Sequence, residues 1–226
     1  MPTDRLPLVL ARIHGQLATG VRIDRRNGLI ETEMLDEPLE ERVLDDVLTG
    51  AGFSAAGERL GTLPDTVGPG MRLLVCGLNP SVVAADAGYG FAGATNRFWK
   101  AAISADLTDR PHDPWWALIA HGVGMTDLVK RATPRSSEVA PSEYAAGAER
   151  VARLVARTQP AAVVFVGFEG WRAAIDRKAG PGWQSDDMGG RPAYVMPSTS
   201  GLNARVGLPE LSAHLRAAVD GPTVRR

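Results

Sequence analysis

The sequence predicts an α/β fold: a mainly parallel central sheet with helices on both faces, spanning residues 61–226 and preceded by an N-terminal appendage at residues 1–60. Three observations lead there. Short, continuously apolar runs such as Leu73-Leu74-Val75-Cys76 and Ala161 to Gly167 have the length of strands buried on both faces. Stretches of helical periodicity alternate with them, the longest from Pro141 to Arg157, as βαβ crossovers require. Two of the apolar runs also stop abruptly in small polar loops, at Gly77 to Ser81 and at Pro197 to Asn203. In an open α/β sheet such loops sit at the carboxyl edge of the strands, where ligands bind.

Along the chain, Met1 to Gly61 is the least regular part. Residues 5 to 13 are apolar enough to pack, and Arg22 to Gly28 is a polar stretch with Asn27-Gly28 as its turn signal. Pro38 to Leu48 predicts an amphipathic helix, with Leu39, Val43, Leu44, Val47 and Leu48 on one face, ended by Gly50-Ala51-Gly52. Its acidic residues do not suit contact with a polyanion, so a structural appendage is expected. Leu63 to Gly70 is a Pro- and Gly-rich loop leading into the first core strand, Met71 to Cys76.

Beyond the Gly77–Ser81 loop, Asn96 to Ala105 predicts a helix burying Phe98, Trp99, Ala102 and Ile103. Pro114 to His121 predicts another, with Asp113 as N-cap and Pro114 in the first position, stopped by Gly122 to Gly124. Met125 to Thr133 is a short strand or extended loop. The Pro141–Arg157 helix carries Glu143 early and Arg153 and Arg157 late, which suits its dipole. Then follow the strand to Gly167, a helix from Glu169 to Lys178, a loop from Gly180 to Gly190, a strand ending at Met196 and a closing helix from Leu208 to Val219.

Composition narrows the function classes. At 226 residues with 44% hydrophobic and 23% charged residues, the chain can bury one full α/β core. A formal net charge of −1 argues against a broad basic coat for nucleic acid, so any DNA contact is local. The single cysteine, Cys76, excludes an intrachain disulfide and a multi-thiolate metal site. Four scattered histidines suggest no metal, and no cofactor is expected. No run approaches a membrane span and the start lacks a signal-peptide pattern, so the expectation is a soluble, cytoplasmic monomer.

Three motifs stand in register: Gly77-Leu78-Asn79-Pro80 after the first core strand, Phe91 with Asn96-Arg97-Phe98-Trp99, and Pro197-Ser198-Thr199-Ser200-Gly201-Leu202 near the end. Together they resemble the mismatch-specific uracil/thymine-DNA glycosylases of the uracil-DNA glycosylase superfamily, over about Leu63 to Leu215. The resemblance implies hydrolysis of the N-glycosidic bond of uracil, thymine or damaged pyrimidines mispaired with guanine in double-stranded DNA. Superfamily branches with an iron–sulfur cluster need four cysteines and are excluded. The efficient uracil-specific branch places an aspartate in the slot of Asn79 and a histidine in the second motif. Neither stands here, which points to the mismatch branch. The chain departs from the best-known bacterial form at Ser81, which replaces Gly, and at Ser198, which replaces Asn. Substrate breadth therefore does not carry over.

Candidate residues follow. Asn79 can orient a water and contact a polar ligand, with Pro80 stiffening its loop; alternatively the pair is a turn. The resemblance implies that the base is held by Gly77, Leu78, Pro80, Ser81 and Phe91, with Ser198 and Ser200 beside them and Tyr89 lining the pocket. Phe91 is a stacking platform or a core aromatic, while Asn96 and Arg97 cap a helix or hold the loop. Asp127, in a Thr126-Asp127 pair, is a supporting catalytic carboxylate or a loop aspartate paired with Lys130 or Arg131. Gly201-Leu202-Asn203 is a wedge, with Leu202 entering the base stack and Asn203 or Arg205 contacting the orphaned base or a phosphate, or else a plain turn. Lys130, Arg131 and Arg135 are the densest basic cluster and the expected phosphate contacts, unless they form a solvated face. A non-catalytic DNA-damage binding module on the same fold is the alternative. An enzyme acting on free nucleosides is a weaker third reading, because a DNA wedge would be useless to it.

Overall fold

The computed structural model describes residues 3–17, 20–24, 29–30, 33–34 and 39–222. The core is a five-stranded sheet of β4 (Leu73–Gly77), β5 (Val123–Asp127), β6 (Val163–Val166), β7 (Gly182–Trp183) and β8 (Ala193–Met196). Their spatial order is β5-β4-β6-β8-β7. The first four run parallel, and β7 pairs antiparallel with β8 at the edge. The register brings Gly77 opposite Asp127, and Val166 opposite Met196. Four strands thus end at the same edge, and β4 and β8 end there in the two polar loops, at Gly77–Ser81 and Pro197–Asn203.

Both faces are covered, as the unbroken apolar runs require. Alternation along β4 sends Leu74 and Cys76 to one side and Leu73 and Val75 to the other. The first side packs under α6 (Pro141–Thr158) and α7 (Glu169–Ala174) through Val151, Leu154, Val155 and Trp171. The second packs under α4 (Phe98–Ser104), α5 (Pro114–His121) and α8 (Leu208–Asp220) through Phe98, Trp99, Ala117, Leu211 and Leu215. Asp113 caps α5 through the Trp116 N–H at 2.9 Å, and Gly122 ends it at φ 64°.

Ahead of the sheet lie α1 (Leu6–Gly15), a small antiparallel sheet of β1 (Ile23–Asp24), β2 (Leu29–Ile30) and β3 (Glu33–Met34), and α2 (Glu41–Gly50). The Asn27-Gly28 turn lies outside the described residues. Leu6, Leu10, Leu44, Leu48 and Phe53 form a separate apolar cluster. It is tied to the rest by the Asp46–Arg153 pair at 2.6 Å and the Asp65 N–H donating to Gly50 O at 2.6 Å.

Some elements differ from expectation. A six-residue helix, α3 (Val82–Ala87), follows the first loop; Ser81 caps it by accepting from the Ala84 N–H at 3.1 Å, and Gly88 ends it at φ 78°. Ile103, expected on the buried face of α4, is exposed. The helix from Glu169 stops at Ala174, where Asp176 turns the chain by accepting from the Lys178 N–H. β7 occupies part of the expected 180–190 loop. Among the described residues no helix is long and apolar enough to cross a membrane.

Candidate active site

The loops after β4, β5, β6 and β8 enclose a cleft of about 630 Å³. Its lining includes Gly77, Leu78, Asn79, Pro80, Ser81, Phe91, Asp127, Ser198, Ser200, Gly201 and Leu202, so most of the expected site residues converge on one place. Two of the loops are stitched side by side. The Leu128 N–H donates to Gly77 O, the Val129 N–H to Leu78 O, and the Thr133 N–H to Pro80 O, at 2.9, 2.9 and 3.1 Å. This fixes Asn79 against residues 131–133.

Asn79 is oriented rather than free. Its Nδ2 donates to Thr133 Oγ1 at 2.8 Å, to Arg131 O at 3.0 Å and to Pro80 O at 3.2 Å. Thr133 Oγ1 passes its own proton to Arg135 O at 2.8 Å, so toward Asn79 it acts as the acceptor. With the amide nitrogen engaged, the Asn79 carbonyl oxygen is left as an acceptor for the cleft.

Asp127 closes the end of β5 at the cleft floor. Its carboxylate makes no hydrogen bond or ion pair among the described residues. Both partners anticipated for it bond elsewhere: Lys130 to Asp65 and Arg131 to Glu143. Burial pushes the Asp127 carboxyl up to about 6, opposed by Lys130 and Arg150 and reinforced by Asp65. Gly77 makes room for it, since a β-carbon there would collide with Asp127 Oδ1. The neighbouring Cys76 thiol is also pushed up by burial and by Asp127, so it is not a nucleophile.

Phe91 sits at φ 60°, an uncommon conformation for a bulky residue, which aims its ring into the cleft wall. One ring face stacks on Phe98 at 4.0 Å between centroids and 18° between planes. The ring also lines the cleft. Trp99 Nε1 donates to Gly90 O at 2.9 Å and fixes the loop.

The 198–206 loop is built from short side-chain turns. Ser198 Oγ accepts from the Ser200 N–H, Ser200 Oγ accepts from the Leu202 N–H, and Asn203 Nδ2 donates to Ser198 O. Because both serine hydroxyls accept, each keeps its proton to donate outward. Arg97 grips the loop from below through the carbonyls of Ser200, Asn203 and Val206. Gly201 packs on Thr95 so closely that a β-carbon would strike it. The result is a Leu202 side chain held 97% exposed at the rim.

The structure corrects two expectations. Lys130 is not a phosphate contact: its side chain is 4% exposed and its ammonium lies 2.7 Å from Asp65. Tyr89 does not line the cleft; it stacks on His112 at 4.9 Å and borders a separate cavity of about 30 Å³ behind Phe91. Asn203 Nδ2 helps to hold its loop by donating to Ser198 O at 3.0 Å, which leaves the side-chain oxygen as its acceptor. Arg131 is exposed but forks onto Glu143 at 2.8 and 2.9 Å, and Arg205 is exposed away from the cleft lining. Of the basic cluster, Arg135 is the member that lines the cleft, and its guanidinium has no partner among the described residues. Thr133 was not anticipated; its pairing with a residue 54 positions earlier leaves no mark in local pattern. Among the described residues no cluster of three or more His, Cys, Asp or Glu is disposed to hold a metal ion.

The solution NMR structure of a protein from Methanosarcina acetivorans, provisionally described as a uracil DNA glycosylase, is similar at 17% identity and a TM-score of 0.47, covering 71% of this chain and 98% of that one. The family model described as the uracil DNA glycosylase superfamily matches residues 64–220, which include every cleft loop. The chain belongs to the uracil DNA glycosylase superfamily, whose class of activity is DNA glycosylase hydrolysis.

Proposed function

We propose that the protein is a monofunctional glycosylase that hydrolyses the N-glycosidic bond of uracil mispaired with guanine, and of related pyrimidines in the same context. The observation that carries this reading is the convergence, in one cleft, of the unpaired Asp127 carboxylate and the oriented Asn79 carbonyl beneath an exposed leucine. Mismatch preference is supported by Asn79 in the loop after β4 and by the lack of a histidine in Pro197 to Ser200.

Breaking the bond places positive charge on the sugar and negative charge on the departing base. In the proposed mechanism Leu202 enters the stack as the nucleotide swings out, and the base packs against Phe91 in the cleft. Backbone groups of residues 79–81 contact its polar edge. Asn79 Oδ1 and Asp127 hold the attacking water, and Asp127 accepts its proton. A carboxyl titrating at about 6 is charged at neutral pH yet basic enough for that transfer. This gives Asp127 a larger part than the supporting one suggested by sequence. Ser198, Ser200 and Arg135 donate to the flanking phosphates.

The test is base release from duplexes carrying G:U, A:U or G:T and from single-stranded uracil, read by alkaline cleavage. The reading expects strand breaks with G:U ahead of A:U. Tight binding to G:U duplex without release would instead identify a damage-binding module.

A further inference from the structure

A second set of charges stands against the same strand end, and the mechanism does not use it directly. Asp65, 3% exposed, holds Lys130 Nζ on one oxygen at 2.7 Å and Arg150 Nη1 on the other at 2.9 Å. Thr126 Oγ1 donates to Asp65 at 2.7 Å and accepts from Arg150 Nη2 at 3.0 Å. The same Nη2 reaches the main-chain oxygen of Asp127 at 2.7 Å. Asp65 comes from the loop leading into β4, Thr126 from β5, Lys130 from the loop beyond it and Arg150 from α6.

Such a cluster is a poor device for stability alone. Three buried charges lose their hydration, and apolar side chains of similar size commonly do as well or better. Its arrangement around Asp127 is what an apolar core could not reproduce. The charged and titratable groups facing that carboxylate are Lys130, Asp65 and Arg150, together with the Cys76 thiol on β4. Two cations and one anion leave one positive charge over, so the group is electroneutral only when Asp127 is ionised. The N-terminal segment seals the arrangement. The last residue of α2, Gly50, lies so close that a β-carbon there would meet Asp65 Oδ2, and its carbonyl accepts the Asp65 N–H.

We infer that Asp65, Lys130 and Arg150 are positioning residues for Asp127: they hold its main chain at the cleft floor and balance the charge of its carboxylate, with the N-terminal segment as the plug that keeps water from them. The inference rests on Asp127 being the base of the proposed reaction. Arg150 supplies the mechanical part, through the main chain. Lys130 supplies an electrostatic part, as a cation favouring the ionised form. Asp65 holds both cations in place.

The experiment is single-turnover base release from G:U duplex between pH 5 and 9, with the full chain. Wild type should show a rate that rises through an acid limb to a plateau, and Asp127→Asn should lose that limb. Lys130→Met should move the limb upward by about one pH unit, because a cation favouring the carboxylate is gone. Arg150→Lys keeps the charge but loses the fork, so its plateau should drop roughly tenfold with the limb nearly in place. Should Lys130→Met melt below the assay temperature, Thr126→Val keeps every charge and removes only the hydroxyl; it should lower the plateau without moving the limb. An unmoved limb in Lys130→Met, or plateaus in Arg150→Lys and Thr126→Val equal to wild type, would overturn the inference while leaving the base assignment standing. A wild-type rate and limb in Asp127→Asn would instead bring down the base assignment, and the inference with it.

Discussion

Gly77 and Asp127 stand opposite one another in the parallel register of β4 and β5, and the Asp127 carboxylate occupies the space that a side chain on residue 77 would need. Gly77 has no left-handed backbone to explain it. Its role is to be absent beyond the α-carbon. Gly77→Ala should therefore displace the carboxylate and lower base release by roughly a hundredfold, as small misplacements of reacting groups do. The melting temperature should change little, since the side chain can swing toward the open cleft. Single-turnover rates beside a thermal melt check this; a near-normal rate would show that the carboxylate has slack.

Asp127→Asn should separate activity from stability. The folded state holds the Asp127 proton more tightly than the unfolded chain, at about 6 against an ordinary 3.8. The contribution of this group to stability is thus fully present below about pH 4 and is lost as pH rises through about 6. Above that it is a standing penalty of about 1–2 kcal/mol, taken below the full shift because the cleft admits water. The amide removes the penalty, so the variant should melt several degrees higher at pH 7.5 and show no gain at pH 4. Base release should nearly vanish at both.

Asn79→Ala removes the water acceptor and should cost roughly a hundredfold in base release with duplex affinity nearly unchanged. Thr133→Val leaves the amide nitrogen two carbonyl partners out of three and should cost about tenfold. A larger loss from Thr133→Val than from Asn79→Ala would mean that the hydroxyl, not the amide, meets the water.

Leu202→Ala should slow release from G:U duplex by roughly tenfold or more, on the order of 1–3 kcal/mol, and hardly touch uracil in single strands, where there is no stack to enter. An equal loss on both substrates would place Leu202 in the pocket instead of the helix. At 97% exposure its removal should leave the melting temperature unchanged.

Strands β4, β6 and β8 and most helices were legible in the chain because each carries a pattern of its own length: five or so apolar residues, or a capped amphipathic run such as Asp113 to Gly122, whereas β5 begins at Val123, inside the stretch expected only to stop that helix. The short α3 and β7 carry too few residues for any period to show. The cleft was legible where function sits in local motifs, at Asn79, Phe91 and Leu202. It was illegible where a residue's meaning depends on a distant partner. Lys130 looks like part of a solvated basic stretch until Asp65, 65 positions earlier, is seen beside it. Asp127 matters because its expected partners turn elsewhere, and no spacing records that.

Arg97 and Phe98 are adjacent in sequence but hold different things. Arg97 grips the loop that presents Leu202, while Phe98 backs the ring of Phe91. The side chain that would enter the duplex and the surface that would receive the extruded base are therefore the two jaws of one caliper, hinged on a single peptide at the start of α4. A caliper of fixed span measures. In the proposed reaction it would accept a nucleotide that has travelled the full distance out of the helix, and a partly opened pair would have nowhere to rest.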